Sequence, residues 1–214
     1  MNSFLPRALI TDAGFHSGIR HPGRSFPSFV ALALAFTSSG WWLLATHRVS
    51  HACRNRRAFR SPAWWALRLA EAFGRSIAVV ISRSETMGDC KIDTPVFFSD
   101  RGYLIVGAKA IGARTLIHHK VTIGMTVADG RKERPAIGSS VWIGPNCVIA
   151  GGVKIGDGAT LMPGSYVTRD VPAQAVTAGN PARIVGTKFD NSLLLKSLWI
   201  PSSFHDGKLF DQQC

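Results

Sequence analysis

The sequence predicts a mainly β protein: a parallel β-helix of hexapeptide repeats, with an N-terminal α-helical region and a short C-terminal tail. Three coincident patterns predict it. From about residue 97 an aliphatic residue recurs every six positions: Ile105, Ile111, Ile117 and Ile123, then Ile137, Ile143, Ile149, Ile155, Leu161 and Val167. Glycine follows it at Gly112, Gly124, Gly138, Gly144 and Gly156. A small or β-branched residue stands four places after it, at Thr115, Val121, Val141, Cys147, Val153, Ala159, Ser165 and Val171. A period of six matches neither the 3.6-residue helix nor a simple alternating strand. It matches a short strand plus a corner, three to a triangular coil. The aliphatic residue then lies on the axis, the small one sits beside it, and coils pair their backbones ~4.8 Å apart. Cys147, at a small inward position, reads as packing.

The other elements follow in chain order. Residues 1–27 mix His, Gly, Pro and Arg without periodicity and read as a loose basic arm. Residues 28–90 read as α-helical: apolar runs around 28–46 and 63–81 flank the basic link RNRRAFRSP (54–62), and Pro62 suits a first helical turn. The stretch SFVALALAFTSSGWWLLAT (28–46) carries no charge and is near the ~20 residues that span a bilayer. Ser38, Ser39, Gly40 and Thr46 weaken it, so it reads as a helix that is buried or rests on a membrane. The β-helix is expected over 91–186. Its register breaks once: Ile123 to Ile137 spans fourteen residues, and the surplus within MTVADGRKERPA (125–136) must loop out. Loops extruded from a rigid scaffold often carry function. Residues 187–214 form the tail.

With 214 residues, 46% of them hydrophobic, the chain suffices for one large domain or a domain plus a smaller lobe. Its net charge of +12 is uneven. Residues 1–75 hold ten Arg against Asp12 and Glu71, while 76–214 hold fifteen Lys/Arg against eleven acids. Such a third suits anionic lipid or nucleic acid, but a solvated basic surface is its ordinary meaning, and no nucleic-acid partner is expected. Cys53, Cys90, Cys147 and Cys214 form no CxxC pair and no zinc spacing, and read as reduced thiols. Residues 1–24 lack the continuous apolar core of a secretory signal. A cytoplasmic protein is expected, with 28–46 as the stretch that would meet the inner face of a membrane.

The repeats and VPAQAVTAGNPARIVG (171–186) resemble the hexapeptide-repeat acyltransferases, nearest to serine O-acetyltransferases and related sugar or polysaccharide O-acetyltransferases. SGWWLLATHRVSH (39–51) looks like the HR-x-x-H helix that precedes the β-helix in bacterial serine acetyltransferases. FFSDRGYLIVGAKAIG (97–112) looks like their first coil and TLIHHKVTIG (115–124) like the next. The resemblance covers about residues 39–186. It implies a left-handed β-helix, an exception to the right-handed crossover rule, and a homotrimer or dimer of trimers. It also implies acetyl-CoA bound between coils of adjacent subunits, and acetyl transfer to a hydroxyl of serine or a sugar. There are departures. Ser99 and Asp100 stand where serine acetyltransferases carry an Asp-His pair, and Arg134 precedes Pro135 where the loop usually supplies a His. The ending DQQC also differs from the Ile-terminated tail that docks a partner enzyme. The lost histidines favour a sugar acceptor; the HRVSH helix favours serine. A catalytically silent assembly protein is the alternative class.

O-acetylation needs an alcohol deprotonated as it attacks a thioester, a task for an imidazole of pKa near 7. With Ile117 on the axis, His118 takes the corner place usually held by Gly and His119 the next, so both are expected at or near the coil surface. His119 matches a His often found before x-V-T-[IL]-G in the resembling enzymes, and is the first candidate base. His118 is the second; Asp100 is the third, a poor base near pH 7 at an ordinary pKa of ~4. Two exposed corner histidines without a catalytic role are the plain alternative. The resemblance also assigns Trp142 to the border of the reaction centre. Pro145, Pro163, Thr168 and Arg169 match positions lining the acetyl-CoA groove. Gly179 and Arg183 belong to the AGNPAR turn, where Gly permits close approach and Arg pairs with phosphate. No metal or covalent enzyme intermediate is required. A three-histidine metal site is disfavoured, because only His118 and His119 lie in the repeats. A nucleotidyltransferase fusion is disfavoured by the lack of a Gly-rich loop before them.

Overall fold

The computed structural model describes residues 4–21, 24–54, 83–87, 89–128 and 131–196, with seven helical positions between 65 and 80. From residue 85 the chain winds through five stacked coils, forming three parallel sheets. The first coil holds β1 (Glu85–Thr86), β2 (Lys91–Ile92) and β3 (Val96–Phe98); the second holds β4 (Ile105–Val106), β5 (Ala110–Ile111) and β6 (Thr115–Ile117). In the third, β7 (Thr122–Gly124) is followed by the excursion β8 (Thr126–Ala128) and β9 (Arg131–Glu133), then β10 (Ala136–Ile137) and β11 (Trp142–Ile143). The fourth holds β12 (Val148–Ala150), β13 (Lys154–Ile155) and β14 (Thr160–Leu161). The fifth holds β15 (Tyr166–Val167), a lone bridge at Val171 and β16 (Val176–Ala178). Strand order is β1-β4-β7-β12-β15 in sheet A, β2-β5-β10-β13 in sheet B, and β3-β6-β11-β14-β16-β17 in sheet C. The last, β17 (Arg183–Gly186), turns back antiparallel to β16.

The axis is filled by columns of side chains in register: Val106, Ile123, Ile149 and Val167; Ile92, Ile111, Ile137 and Ile155; Phe98, Ile117, Ile143 and Leu161. Nearly all the predicted inward residues lie in this one core. Ile105 does not. It is 54% exposed, and Val106 takes its place on the axis. The reason is a corner of unusual length. Phe98 to Val106 spans eight residues rather than six, so the turn through Ser99–Gly102 carries two extra, and Val106 to Ile111 spans five.

Two devices make the corners. The glycine after the aliphatic residue allows close approach: a Cβ on Gly112 would lie 2.5 Å from Ser139 N, and one on Gly144 2.8 Å from Pro163 N. The left-handed turn lies elsewhere and mostly uses other residues: Tyr103, Lys120, Asn146 and Gly164 at one corner, Arg114, Ser140, Gly158 and Gln174 at another, all with φ between 56° and 74°. Only a minority of non-Gly residues adopt such φ values. Here coil-to-coil hydrogen bonds such as Asn146 N–H to His119 O (3.2 Å) and Gly164 N–H to Pro145 O (2.9 Å) hold them.

The N-terminal region differs from expectation. Residues 4–20, expected to be loose, form α1 (Phe4–Arg20), which packs on α2 (Ser28–Ala35), α3 (Ser39–Arg54) and β3. The first coil begins at Glu85, inside the stretch read as helical. The 28–46 run is broken at residues 36–38: α2 and α3 meet at 103°, and no single helix among the described residues is long and apolar enough to cross a membrane. Ser38 caps α3 by accepting from Trp41 N–H at 3.0 Å. Gly40 follows because a Cβ there would strike Phe98 O, so α3 starts hard against the first coil. Arg48 on α3 pairs with Asp12 on α1 at 3.0 Å, both buried, and donates to the carbonyls of Ile92 and Asp93. One guanidinium thus joins two helices to the stack.

Residues alternate in sheet C, so Phe97, Leu116 and Trp142 point outward. They are covered by Ile19 and Phe15 of α1 and by Phe189, Leu194 and Leu195 of the tail. Asn191 donates to the carbonyls of Ser140 and Gly158, pinning the tail. The extruded segment is the hairpin β8–β9, as the register break predicts. Glu133 lies over Gly152, and Arg134 pairs with Asp89 at 2.8 Å. Cys90 and Cys147 are buried free thiols, pushed up to about 12 by burial, and inert as nucleophiles. The side chains of Cys53 and Cys214 lie outside the described residues.

Candidate active site

The corner between sheets C and A carries the two histidines. His118 and His119 follow the last residue of β6, and Lys120 turns the chain with φ 57°. The expectation that both rings sit at the surface holds only for His119, which is part-exposed. His118 points outward from sheet C but into its covered face, is 5% exposed, and meets the Trp142 ring edge-on at 4.9 Å. Its Nε2 has no hydrogen-bond partner among the described residues. Burial pushes His118 down to about 4, helped by the charges of His119 and Arg101. His119 is lowered too, first by burial and then by Arg101 and Lys120. Both rings are therefore neutral near pH 7, and His119 alone is also open to solvent.

Register carries the corner down the stack. Ile117, Ile143, Leu161 and Thr177 are column partners. The residues two places on are therefore also stacked: His119, Pro145, Pro163 and Gly179. Gly179 turns with φ 98° into the loop whose Ala182 N–H returns to Tyr166 O at 2.9 Å, and Arg183 on β17 stands beside Ala178. The strip has a candidate base at one end and an exposed Arg at the other, with little side-chain bulk between. That suits an extended thioester-bearing arm such as that of acetyl-CoA. Trp142 is not on the strip: it is 1% exposed beneath α1 and the tail, and touches the corner only through His118. Thr168 and Arg169 lie at the far end of sheet A, in register with the residues from which the hairpin departs. One chain does not bring them to His119.

Asp100 sits in the lengthened turn above the histidines, and its carboxylate is engaged. Oδ1 accepts from the Ser38 hydroxyl and from Gly40 N–H (3.3 Å); Oδ2 pairs with Arg20 at 3.2 Å. Behind it lies a buried relay that sequence reasoning missed. Phe98 N–H donates to His16 Nε2 (3.4 Å), which fixes the tautomer so that Nδ1 donates to Ser38 Oγ (3.3 Å). Burial pushes His16 down to about 3. Asp100 thus clamps the start of α3 to the first coil, with no lone pair directed at the histidines in the bonds it makes. Arg101 and Lys120, whose charges act on the rings, were also missed. The excess of two residues between Phe98 and Val106 was the available signal, hidden by the apparent fit of Ile105 to the hexad. No group of three or more metal-ligating side chains occurs among the described residues.

Comparison with known proteins places this geometry. The family model for bacterial transferase hexapeptide (six repeats) matches residues 134–169. Serine acetyltransferase 2 of Arabidopsis thaliana is 29% identical over 196 residues, 88% of this chain and 58% of that protein. A soybean serine acetyltransferase solved with serine superposes with a TM-score of 0.68 at 27% identity, over 86% of this chain and 70% of that one. A Brucella abortus serine acetyltransferase solved with coenzyme A shares the fold, with a TM-score of 0.68 at 24% identity, covering 87% and 69%. The chain spans little more than half the length of the curated relative. It carries the hexapeptide repeats of bacterial transferases and is similar to serine acetyltransferases through its helices as well as its coils.

Proposed function

We propose that this protein is an acetyl-CoA-dependent O-acetyltransferase that moves an acetyl group to a hydroxyl of serine or a sugar. The observation that carries the reading is the strip His119–Pro145–Pro163–Gly179, with a solvent-open, neutral imidazole at its head. The acceptor oxygen attacks the thioester carbonyl, and His119 takes the hydroxyl proton as the C–O bond forms. The C–S bond then breaks, and the proton passes from His119 to the departing thiolate, so no metal or redox partner is consumed. His118, held neutral against Trp142, backs the His119 turn rather than titrating with it. Thr168 and Arg169, which the resemblance assigns to the acetyl-CoA groove, lie on another corner, so in this reading a neighbouring copy brings them to the strip, as in the homotrimer or dimer of trimers that the resemblance implies.

His119→Ala should lower turnover by at least about 10²-fold, the low end for losing a general base, with little change in the KM for acetyl-CoA. His118→Ala should do less. Thiol release from acetyl-CoA in the presence of an acceptor measures both. Full activity in both single variants and in the double variant would remove the base from this reading. Absence of thiol release with every hydroxyl acceptor would favour a catalytically silent assembly protein.

A further inference from the structure

The His119 turn is held through one peptide. Its carbonyl, His119 O, accepts from Asn146 N–H at 3.2 Å, and its N–H, on Lys120, donates to Gly102 O at 3.2 Å. The Asn146 side is set by the repeat, because the next coil follows in regular register. The Gly102 side is not. The turn through Ser99–Gly102 carries two residues beyond a hexad corner, so coil spacing alone does not fix where Gly102 falls. Contacts from outside the stack fix it. Ser39 Oγ donates to Asp100 O at 2.8 Å, and the Asp100 carboxylate accepts from Ser38 Oγ and Gly40 N–H and pairs with Arg20 at 3.2 Å. The same Arg20 guanidinium donates to Thr37 Oγ1 at 3.0 Å, so the end of α1 and the elbow between α2 and α3 close on the turn together. Each of these bonds leads away from the imidazoles. A second route starts one residue earlier: Ile19 lies in one buried cluster with Trp142, and Trp142 meets His118. The last turn of α1 therefore backs both neighbours of His119, Lys120 by way of Gly102 and His118 by way of Trp142.

We propose that Asp100 and Arg20 are positioning residues for His119: together they hold the lengthened turn so that Gly102 receives Lys120 N–H and the imidazole stays aimed along the strip. This rests on the acetyl-transfer reading above; Asp100 then takes no proton from the acceptor. An imidazole on a turn with a loose rear support spends part of its time out of reach of the hydroxyl proton, and a displacement of about 1 Å can cost about 10²-fold in rate. The length of the strip below His119 belongs to later coils, so acetyl-CoA binding does not depend on this support.

The test uses Asp100→Ala, Asp100→Asn and Arg20→Gln in the full chain, read by thiol release from acetyl-CoA with serine or glucose as acceptor and by NMR of the His119 ring. Asp100→Ala should lower kcat by about 10- to 100-fold, with the KM for acetyl-CoA unchanged. The acid limb of the kcat profile should stay where the parent has it, since His119 remains the titrating base. Asp100→Asn keeps an oxygen for Ser38 and Gly40 and should recover activity to within about tenfold of the parent. Arg20→Gln should cost about as much as Asp100→Asn, and added to Asp100→Ala it should cost nothing more, as for two members of one contact. In every variant the His119 ring signal should broaden or split, as expected of a ring with more than one orientation. Full activity in Asp100→Ala, or a His119 signal as sharp as the parent's, overturns the inference. A loss as great as that of His119→Ala with a displaced acid limb would make Asp100 a participant in proton transfer and overturn it too, as would a rise in the KM for acetyl-CoA alone. If Asp100→Ala fails to fold, Asp100→Asn and Arg20→Gln carry the same readouts. No release by the parent with either acceptor counts against acetyl transfer, while the His119 signal still decides whether the pair positions the ring.

Discussion

Replacing His16 with Asn should flatten the acid side of the stability profile. In the folded chain the ring is fully buried, takes the Phe98 N–H on Nε2 and donates from Nδ1 to Ser38. A proton on Nε2 would set two N–H groups against each other, and Arg20 adds a second positive charge nearby. The folded pKa is about 3, against an ordinary value of ~6.5 in the unfolded chain. As pH falls below 6.5 the unfolded chain takes up a proton that the fold refuses, so stability drops from there down to about pH 3. At pH 5 the loss is about 2 kcal/mol. His118, held near 4, contributes a similar amount, so the parent should lose about 4 kcal/mol between pH 8 and pH 5. That is a large share of the ~5–15 kcal/mol of an ordinary domain. Asn keeps a donor toward Ser38 but cannot ionise. His16→Asn should cost about 1–3 kcal/mol at pH 8 for the unmatched Phe98 N–H, yet lose only about half as much on acidification. Urea unfolding at a series of pH values reads both numbers. An unchanged acid slope in the variant, or a His16 ring proton titrating near pH 6.5 by NMR, would refute the reasoning.

Other outcomes follow from the same contacts. Arg48→Ala leaves Asp12 buried without its partner and should cost about 3–5 kcal/mol in urea unfolding, while Asp12→Leu with Arg48→Met together should cost far less; equal losses would mean the pair is not what joins the helices to the stack. Gly40→Ala drives a methyl into Phe98 O and should lower the melting temperature by several degrees, consistent with an overpacking cost of about 1–3 kcal/mol; an unshifted melt would show that α3 does not abut the coil. Ile149→Asp buries an unpaired charge on the axis and should abolish the folded circular-dichroism signal. Sedimentation should give a trimer or a dimer of trimers; a 23.1 kDa monomer at micromolar concentration would count against the shared site.

The coils were legible because two positions per hexad obey one rule, and a rule repeated ten times survives local exceptions. The extruded hairpin was legible for the same reason, as a surplus in the count. Ile105 was misplaced because a β-branched residue fits the hexad whether it faces in or out, and only the eight-residue corner before Val106 moves the frame. Helix α1 was missed because Gly14, Gly18 and the two histidines within residues 1–21 mask its buried face, and its burial comes from partners distant in sequence: Arg48, Phe97 and Trp142. His119 could be found by its place after Ile117. That His118 would be buried could not be found, because its cover comes from the helix and the tail rather than from the repeat. The engagement of Asp100 lay equally far off, in Ser38 and Arg20.

Strand β17 has one more consequence. A stack of like coils is open-ended: its last turn presents the same parallel edge as every turn before it, to which a further coil, or another molecule, could add. By running against β16 in the tallest sheet, β17 presents an edge of opposite polarity there. A further parallel coil cannot continue the stack in that sheet, and the strip from His119 to Gly179 ends where the chain turns back from β16. On the acetyl-transfer reading, the number of coils sets the reach of the arm laid along the strip, and a chain with one more coil would offer a longer ligand the same head group at a greater reach.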